Sequence, residues 1–177
     1  VSGQATSGIV ILDFGQPWTD GTTFGTNMFD APNYTYVTTA QIATYAEAYL
    51  DGYAGCAGAG SKLTLALGTS NDDSTSANNV SAAHAQAWAA LVNQVSQYAS
   101  TKGYGNETVA GADDMEASWA TVAVTKAWED AYVAATTHAL NSTASRIVLA
   151  KAVIGPNPDS PNSRPTCSSR RRELGKA

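Results

Sequence analysis

Three short apolar runs alternate with three amphipathic stretches along the chain, and this alternation constrains the fold more than any other feature of the sequence. Strands buried on both faces are predicted for the apolar runs, which lie at residues 9–14, 63–67 and 108–112. Amphipathic helices are predicted for the stretches that follow them, at residues 38–53, 81–101 and 121–140. Strands that alternate with helices favour right-handed crossovers and a parallel sheet. The sequence therefore predicts an α/β fold of consecutive β–α units.

The predicted helices are supported by a start signal and by apolar stripes. Thr38 and Gln41 match a capping box at the start of the first helix. The stripes expected to be buried are Ile42, Tyr45, Ala46, Tyr49 and Tyr53 in the first helix, Trp88, Leu91, Val92, Val95 and Tyr98 in the second, and Val124, Ala127, Trp128, Ala131 and Ala135 in the third. Residues 16–37 are predicted to form a long loop, and residues 146–154 a fourth strand.

The length of the chain limits how its sheet can close. A full eight-unit TIM barrel needs about 250 residues, whereas this chain has 177. Three or four units therefore predict a partial TIM-type (β/α) barrel, with a small doubly wound sheet as the alternative. We expect residues 1–154 to form this domain and residues 155–177 to be a disordered Pro/Ser/Arg-rich tail. A half-barrel would be a truncated product or half of an assembly, and its open sheet edges would favour self-association.

The formal net charge of −5 is unevenly distributed. Up to Ser145 there are 3 basic and 13 acidic residues, and from Arg146 onward there are 7 basic and 2 acidic residues. An acidic body argues against a nucleic-acid partner, because phosphate contacts need clustered Lys and Arg. No run approaches the roughly 18 apolar residues of a membrane span, and the abundance of small polar residues favours a secreted, extracellular protein. There, Cys56 and Cys167 permit one disulfide, although the sequence leaves their pairing open.

Carboxylates and one amide follow each predicted strand. Asp13 ends the first strand, the second opens into Asn71 and Asp72, and the third ends in a cluster of Asp113, Asp114 and Glu116. In parallel α/β folds the carboxyl ends of the strands are where ligands bind. Side chains alternate along an extended backbone, so Asp114 and Glu116 are expected on one side and Asp113 and Met115 on the other. Two crowded carboxylates cannot both ionise freely, and one is expected to hold its proton to higher pH.

Such a pair suits glycoside hydrolysis, which needs one protonated acid and one ionised carboxylate. We predict Glu116 as the general acid, Asp114 as the group that orients it and raises its pKa, and Asp13 as a second carboxylate across the rim. Asn71, Asp72, Asp113, Trp18 and Trp119 are the candidate substrate-binding residues. No nucleotide-binding glycine motif and no His or Cys pair at metal spacing occurs in the sequence, so neither a cofactor nor a metal is expected.

Three segments resemble the blocks of a secreted bacterial glycoside-hydrolase-like barrel domain. They are ILDFGQP at 11–17, ALGTSN at 66–71 and GADDME at 111–116. More distantly, Asp13 together with Asp114-x-Glu116 is similar to the strand-end pattern of family-25 glycoside hydrolases, the lysozyme-like muramidases. The resemblance covers about residues 9–142 and implies a (β/α) barrel that acts on a cell-wall or extracellular polysaccharide.

Each candidate residue also has a structural interpretation. Asp113 and Asp114 would favour the positive end of the next helix, and Asp72 is typical of a turn. The aromatic residues of the first long loop would either stack on sugar rings or cover the end of the barrel. Three hypotheses follow: a polysaccharide hydrolase, a non-catalytic carbohydrate- or surface-binding module, and an incomplete product without a function of its own.

Overall fold

The computed structural model describes residues 5–30, 32–74, 79–136 and 140–142. For residues 140–142 it describes the backbone alone. Within this part of the chain there are seven strands and three helices. In chain order they are β1 (Ser7–Asp13), β2 (Gln16–Thr19), β3 (Phe24–Asn27), β4 (Tyr36–Thr38), α1 (Thr39–Cys56), β5 (Lys62–Ser70), α2 (Ala82–Thr101), β6 (Glu107–Asp114), α3 (Val122–Ala135) and β7 (Leu140–Ser142).

The main sheet is parallel, with the strand order β1-β5-β6-β7. Each successive strand is added on the same side of the previous one, so right-handed crossovers carry the connecting helices over one face of the sheet. Helix α2 packs against both α1 and α3, as this arrangement requires. A doubly wound sheet would instead reverse its strand order at a switch point. The protein is thus a mixed α/β structure with a parallel sheet, and its described strands do not close into a barrel.

The hydrophobic core lies between this sheet and the helices. Leu12, Leu63, Leu65, Leu67 and Val109 are buried from the sheet side, and Ile42, Leu50, Trp88, Val92 and Trp128 are buried from the helices. Full burial of a side chain of this size contributes about 1.5–3 kcal/mol. The stripe predicted for α2 is confirmed, with Tyr98 at its half-buried edge.

The stripe predicted for α1 is displaced toward one side of the helix. The buried residues are Ile42, Ala43, Ala46 and Leu50, whereas the three predicted tyrosines are half-buried at its margin. Tyrosine favours such a boundary because its ring is apolar and its hydroxyl needs a polar partner. In α3, Trp128 is buried as predicted, and Tyr132 is buried although it was not predicted. Ala127 and Ala135 were predicted to be buried, but both are exposed.

The helix starts follow the predicted signals. Thr38 caps α1 with the full capping box: its hydroxyl accepts from the N–H of Gln41, and the Gln41 side chain accepts from the N–H of Thr38. Ser81 caps α2 and Thr121 caps α3 through the side-chain hydroxyl alone, which accepts from the N–H of His84 and of Val124, respectively. Helix α3 ends at Ala135, earlier than the predicted 140, because Thr136 adopts an extended backbone and its hydroxyl donates to Oδ1 of Asn93 at 3.0 Å.

The prediction of a loop at residues 16–37 was wrong. This segment contains a second, antiparallel sheet with the order β2-β3-β4, inserted between β1 and α1. Its strands have only three or four residues each, QPWT, FGTN and YVT, and are too short for an alternating pattern to be recognised. Asp20 closes the first turn by accepting from the backbone N–H groups of Thr22 and Thr23.

The predictions of a fourth strand, of a C-terminal tail and of a disulfide all involve residues outside the described ranges. The fourth strand predicted at 146–154 and the tail predicted at 155–177 lie outside the described residues; the strand seen next to β6 is β7, at Leu140–Ser142. Cys56 is disulfide-bonded, and Cys167 lies outside the described residues.

Candidate active site

Two carboxylates lie at the carboxyl ends of β1 and β6, one on each side of β5. Asp13 pairs with Gly68 of β5, and Asp114 pairs with Ser70 two residues further along the same strand. Paired residues of neighbouring strands share a face, so all four lie on the face of the sheet away from the helices. Two strand spacings separate the backbones of β1 and β6 by roughly 10 Å.

Gly68 leaves the central strand without a side chain beside Asp13, whereas Ser70, the next residue of this strand on the same face, lies beside Asp114. A Cβ at Gly68 would lie 3.3 Å from the Cα of Asp13 and 3.3 Å from the carbonyl oxygen of Leu12. Because Ala112 is its partner on β6, the sheet surface beside Asp13 is lined by the smallest residues. The carboxyl groups of Asp13 and Asp114 can therefore approach each other across β5.

The electrostatics of the site agree with this proximity. Burial raises the pKa of Asp13, and the charge of Asp114 raises it further, against a hydrogen bond of 3.0 Å from the N–H of Gly15. Burial also raises the pKa of Asp114, with a contribution from the charge of Glu116. The two strand-end carboxyl groups therefore keep their protons to higher pH than ordinary aspartates do.

Glu116 is exposed at the start of the loop after β6, and its Oε2 accepts from the hydroxyl of Ser118 at 3.2 Å. The alternation predicted for this cluster is confirmed for its buried members. Asp113 is buried on the opposite side from Asp114, and Met115 packs against the core. Its position thus leaves Glu116 a candidate catalytic group.

Asp113 does not lie on the face of the sheet that carries Asp13 and Asp114. It lies on the helix side of β6, where burial and, to a smaller extent, the Asp113 charge raise the pKa of Tyr132 to about 12. A Cβ at Gly111, on the same side of the strand, would lie 2.3 Å from the hydroxyl oxygen of Tyr132. The predicted role of Asp113 in substrate binding therefore has no support from its position.

Asp72 belongs to a buried polar network that connects the two sheets. Its carboxylate accepts from the side-chain amide of Gln16 and, at 2.9 Å, from the N–H of Ser74. Gln16 in turn accepts from Nδ2 of Asn27 at 3.3 Å. Burial raises the pKa of Asp72, but the hydrogen bonds from Ser74 and Gln16 outweigh burial and leave that pKa below its ordinary value. Asp72 is thus an ionised carboxylate that holds the Gln16 and Ser74 segments together.

The sequence analysis did not identify Gln16 or Asn27 as members of this network. Gln16 follows directly on Asp13-Phe14-Gly15, so its place after the strand end was a usable signal. Asn27 had none, because its position depends on the antiparallel pairing of β2 with β3.

Both predicted binding tryptophans form aromatic pairs. Trp18 lies with its ring centroid 5.0 Å from that of Tyr36, which is 55% exposed. Trp119 lies 6.1 Å from Phe29, which is 40% exposed. The N–H of Trp119 donates to the carbonyl oxygen of Glu116 at 3.1 Å, so this second pair lies within one turn of the carboxylates.

His84 joins the small sheet to the helices. Nε2–H of His84 donates to the carbonyl oxygen of Gly25 at 2.9 Å, and Nδ1 accepts from the indole N–H of Trp128 at 3.0 Å. Both ring nitrogens are therefore engaged in structural bonds. Across the residues with described positions, no three His, Cys, Asp or Glu side chains are grouped so as to hold a metal ion.

The fold and the site together define an α/β protein whose parallel main sheet has the carboxyl groups of Asp13 and Asp114 at the carboxyl ends of its strands. Comparison of the chain with protein-family models, curated proteins and solved structures finds no match. None of the helices in the described ranges is long and apolar enough to cross a membrane.

Proposed function

We propose that this chain is a glycoside-hydrolase-like domain that acts on an extracellular or cell-wall polysaccharide. The observation that carries the proposal is the placement of Asp13 and Asp114, two carboxyl groups of raised pKa, on one face of the sheet at the carboxyl ends of its strands. The proposal also follows the resemblance of segments 11–17, 66–71 and 111–116, which contain these carboxylates, to a secreted bacterial family.

The proposed architecture is part of a (β/α) barrel. A sheet that grows in one direction, with its connecting helices on one face, has the winding of such a barrel. The face away from the helices would correspond to the barrel interior, where the small residues Ala66, Gly68, Ala110 and Ala112 lie buried.

In the proposed reaction Asp114 is the general acid. A carboxyl group with a raised pKa keeps its proton to higher pH than an ordinary aspartate and can deliver it to the glycosidic oxygen as the bond to the anomeric carbon breaks. Glu116 was the residue predicted for this role. We now give Glu116 the role of the second carboxyl group, which stabilises the oxocarbenium-like centre or activates water, because it is exposed and adjacent to Asp114.

Aromatic rings beside the carboxylates would hold the sugar. The apolar face of a pyranose packs against an indole or phenyl ring, and the pair Phe29–Trp119 offers such surfaces one turn from Glu116. Trp18 and Tyr36 supply a second pair on the small sheet. This placement favours a sugar polymer over a small ligand, because two separate platforms can contact different rings of one chain.

Hydrolysis of a panel of cell-wall and extracellular polysaccharides tests the proposal. Asp114→Asn and Glu116→Gln should each lower kcat by about 10²- to 10⁴-fold, the usual contribution of an acid–base group, while polysaccharide binding measured by calorimetry persists. Asp130→Asn is the matched control, because it removes a carboxylate on the exposed surface of α3. Equal activity of the parent and both site variants would overturn the catalytic proposal.

The exposed aromatic pairs also favour a second candidate, a non-catalytic glycan-binding module. In that case the parent binds polysaccharide without hydrolysing it, and Trp119→Ala weakens binding while Asp114→Asn does not. Hydrolysis that depends on Asp114 would exclude this candidate.

A further inference from the structure

Every polar atom of the Asn71 side chain is bonded to the segment that follows β6. Nδ2 of Asn71 donates to the carbonyl oxygen of Glu116 at 3.1 Å and to Oγ1 of Thr125 at 2.8 Å. Oδ1 accepts from the N–H of Glu116 at 2.9 Å. The side chain is buried, with the residue 1% exposed, so it offers no surface to a substrate.

These bonds hold the start of the segment between β6 and α3, which belongs to neither a strand nor a helix. The N–H of Asn71 donates to the carbonyl oxygen of Asp114 at 3.3 Å, next to the last paired residues of β5 and β6. The carbonyl oxygen of Glu116 accepts from Asn71 and also from the N–H of Trp119. Thr125 lies on the first turn of α3. Asn71 therefore connects the end of β6, the turn that carries Trp119 and the start of α3.

We propose that Asn71 is a positioning residue that sets Glu116 and Trp119 at their distances from Asp114. The inference replaces the substrate-binding role predicted from the sequence, and its kinetic consequences rest on the proposed function. A carboxamide suits the task because it presents a donor and an acceptor side by side, matching the C=O and N–H of one residue. Aspartate lacks the donor, and leucine lacks both groups.

The test uses Asn71→Leu in the full chain, with Asn93→Leu as the matched control. Asn93 bonds to the carbonyl oxygen of Ala135 and the hydroxyl of Thr136 at the C-terminal end of α3, the end opposite to Thr125. Carboxyl ¹³C NMR titration should show the pKa of Asp114 falling toward its ordinary value in Asn71→Leu, because Glu116 is no longer held beside it. The same pKa should be unchanged in Asn93→Leu.

Kinetics supply the second measurement. Displacement of a catalytic group by about 1 Å can cost up to 10²-fold, so Asn71→Leu should lower kcat about 10- to 100-fold. Thr125→Val removes the bond that fixes the Asn71 amide to α3 but keeps both bonds to Glu116, so it should shift kcat and the pKa of Asp114 in the same direction by a smaller amount, and Thr125→Ser should restore both. Thr125→Val also provides the test if Asn71→Leu fails to fold.

The outcomes separate the two proposals. A folded Asn71→Leu or Thr125→Val variant with the parent's Asp114 titration would overturn the positioning role, whether or not the parent hydrolyses polysaccharide. A parent without hydrolytic activity would remove the proposed function, and the titration would still decide the role of Asn71.

Discussion

His84 shows how a single buried side chain makes this fold sensitive to acid. It is fully buried, it stacks on Trp88 with ring centroids 5.7 Å apart, and it donates to the carbonyl oxygen of Gly25. Burial lowers its pKa from 6.5 to about 4, against a smaller opposing effect of the Gly25 bond. Since Nδ1 accepts from Trp128, protonation of the ring would break that bond as well.

We predict that the free energy of unfolding falls between pH 6.5 and pH 4. The unfolded chain binds a proton at His84 near pH 6.5 and the native chain only near pH 4, so acid favours the unfolded state. The loss attributable to His84 is up to about 3 kcal/mol. Denaturant unfolding of the parent and of His84→Gln over this range measures it. A variant whose stability falls as steeply as the parent's would show that His84 is not responsible.

Asp114 should carry a stability cost that accompanies its proposed role. Its raised pKa means that the native state binds a proton more tightly than the unfolded chain, so stability declines as pH rises from its ordinary value of 3.8 through the raised value. Asp114→Asn removes this cost, so at pH values above the raised pKa it should unfold less readily than the parent. Asp130→Asn, on an exposed surface, should change the unfolding free energy by less than about 0.5 kcal/mol. A less stable Asp114→Asn would contradict this explanation.

At the scale of elements, α1 begins where its capping box is. Thr38→Ala removes the hydroxyl that accepts from Gln41 and should destabilise the protein by about 0.5–2 kcal/mol. Thr44→Ala is the control on the same helix, because the exposed Thr44 hydroxyl bonds only within the helix, to the carbonyl oxygen of Ala40. Alanine has the higher helix propensity, so Thr44→Ala should be neutral or slightly stabilising. Thermal unfolding of both variants distinguishes a loss of the cap from a general loss of threonine.

The elements that local signals determine were predictable from the sequence. Thr38, Ser81 and Thr121 cap helices at the predicted starts, and β1, β5 and β6 lie at the three apolar runs, each extending beyond the run at one or both ends. The small sheet was missed because each of its strands is stabilised by its neighbours rather than by its own pattern. At Gly25 the backbones of β3 and β4 approach so closely that a Cβ would lie 1.9 Å from the carbonyl oxygen of Val37. Such a contact leaves no periodic signal.

The candidate site followed the same division between local and long-range information. Asp13, Asn71 and Asp114 were predicted at one edge because the carboxyl ends of parallel strands meet there, and the register places them so. The roles of Asn71 and Asp72 depend on partners 45 and 56 residues away, Glu116 and Gln16 respectively. Sequence spacing cannot reveal such pairs, and both residues are bonded to protein groups rather than turned toward a ligand.

At the scale of the whole molecule, the parallel strand order leaves one face of the main sheet without helices. Ile9 lies on this face and is 67% exposed, and its partner on β5 is Thr64. Among the described strands, β1 pairs with β5 alone, so its other edge offers unpaired N–H and C=O groups. An exposed apolar side chain beside an open strand edge favours pairing with another copy of the chain.

We therefore predict that the chain self-associates through β1 and that Ile9→Glu shifts it toward the monomer. The carboxylate of the new glutamate opposes the burial of the helix-free face and the approach of a second edge strand. Either event would remove that carboxylate from water. Val133→Glu is the matched control, since Val133 is 61% exposed on the surface of α3 and far from that edge in the fold. Sedimentation velocity over a range of concentrations should show a higher dissociation constant for Ile9→Glu and an unchanged one for Val133→Glu. A parent that stays monomeric at all concentrations, or equal effects of the two charges, would place the interface elsewhere or remove it.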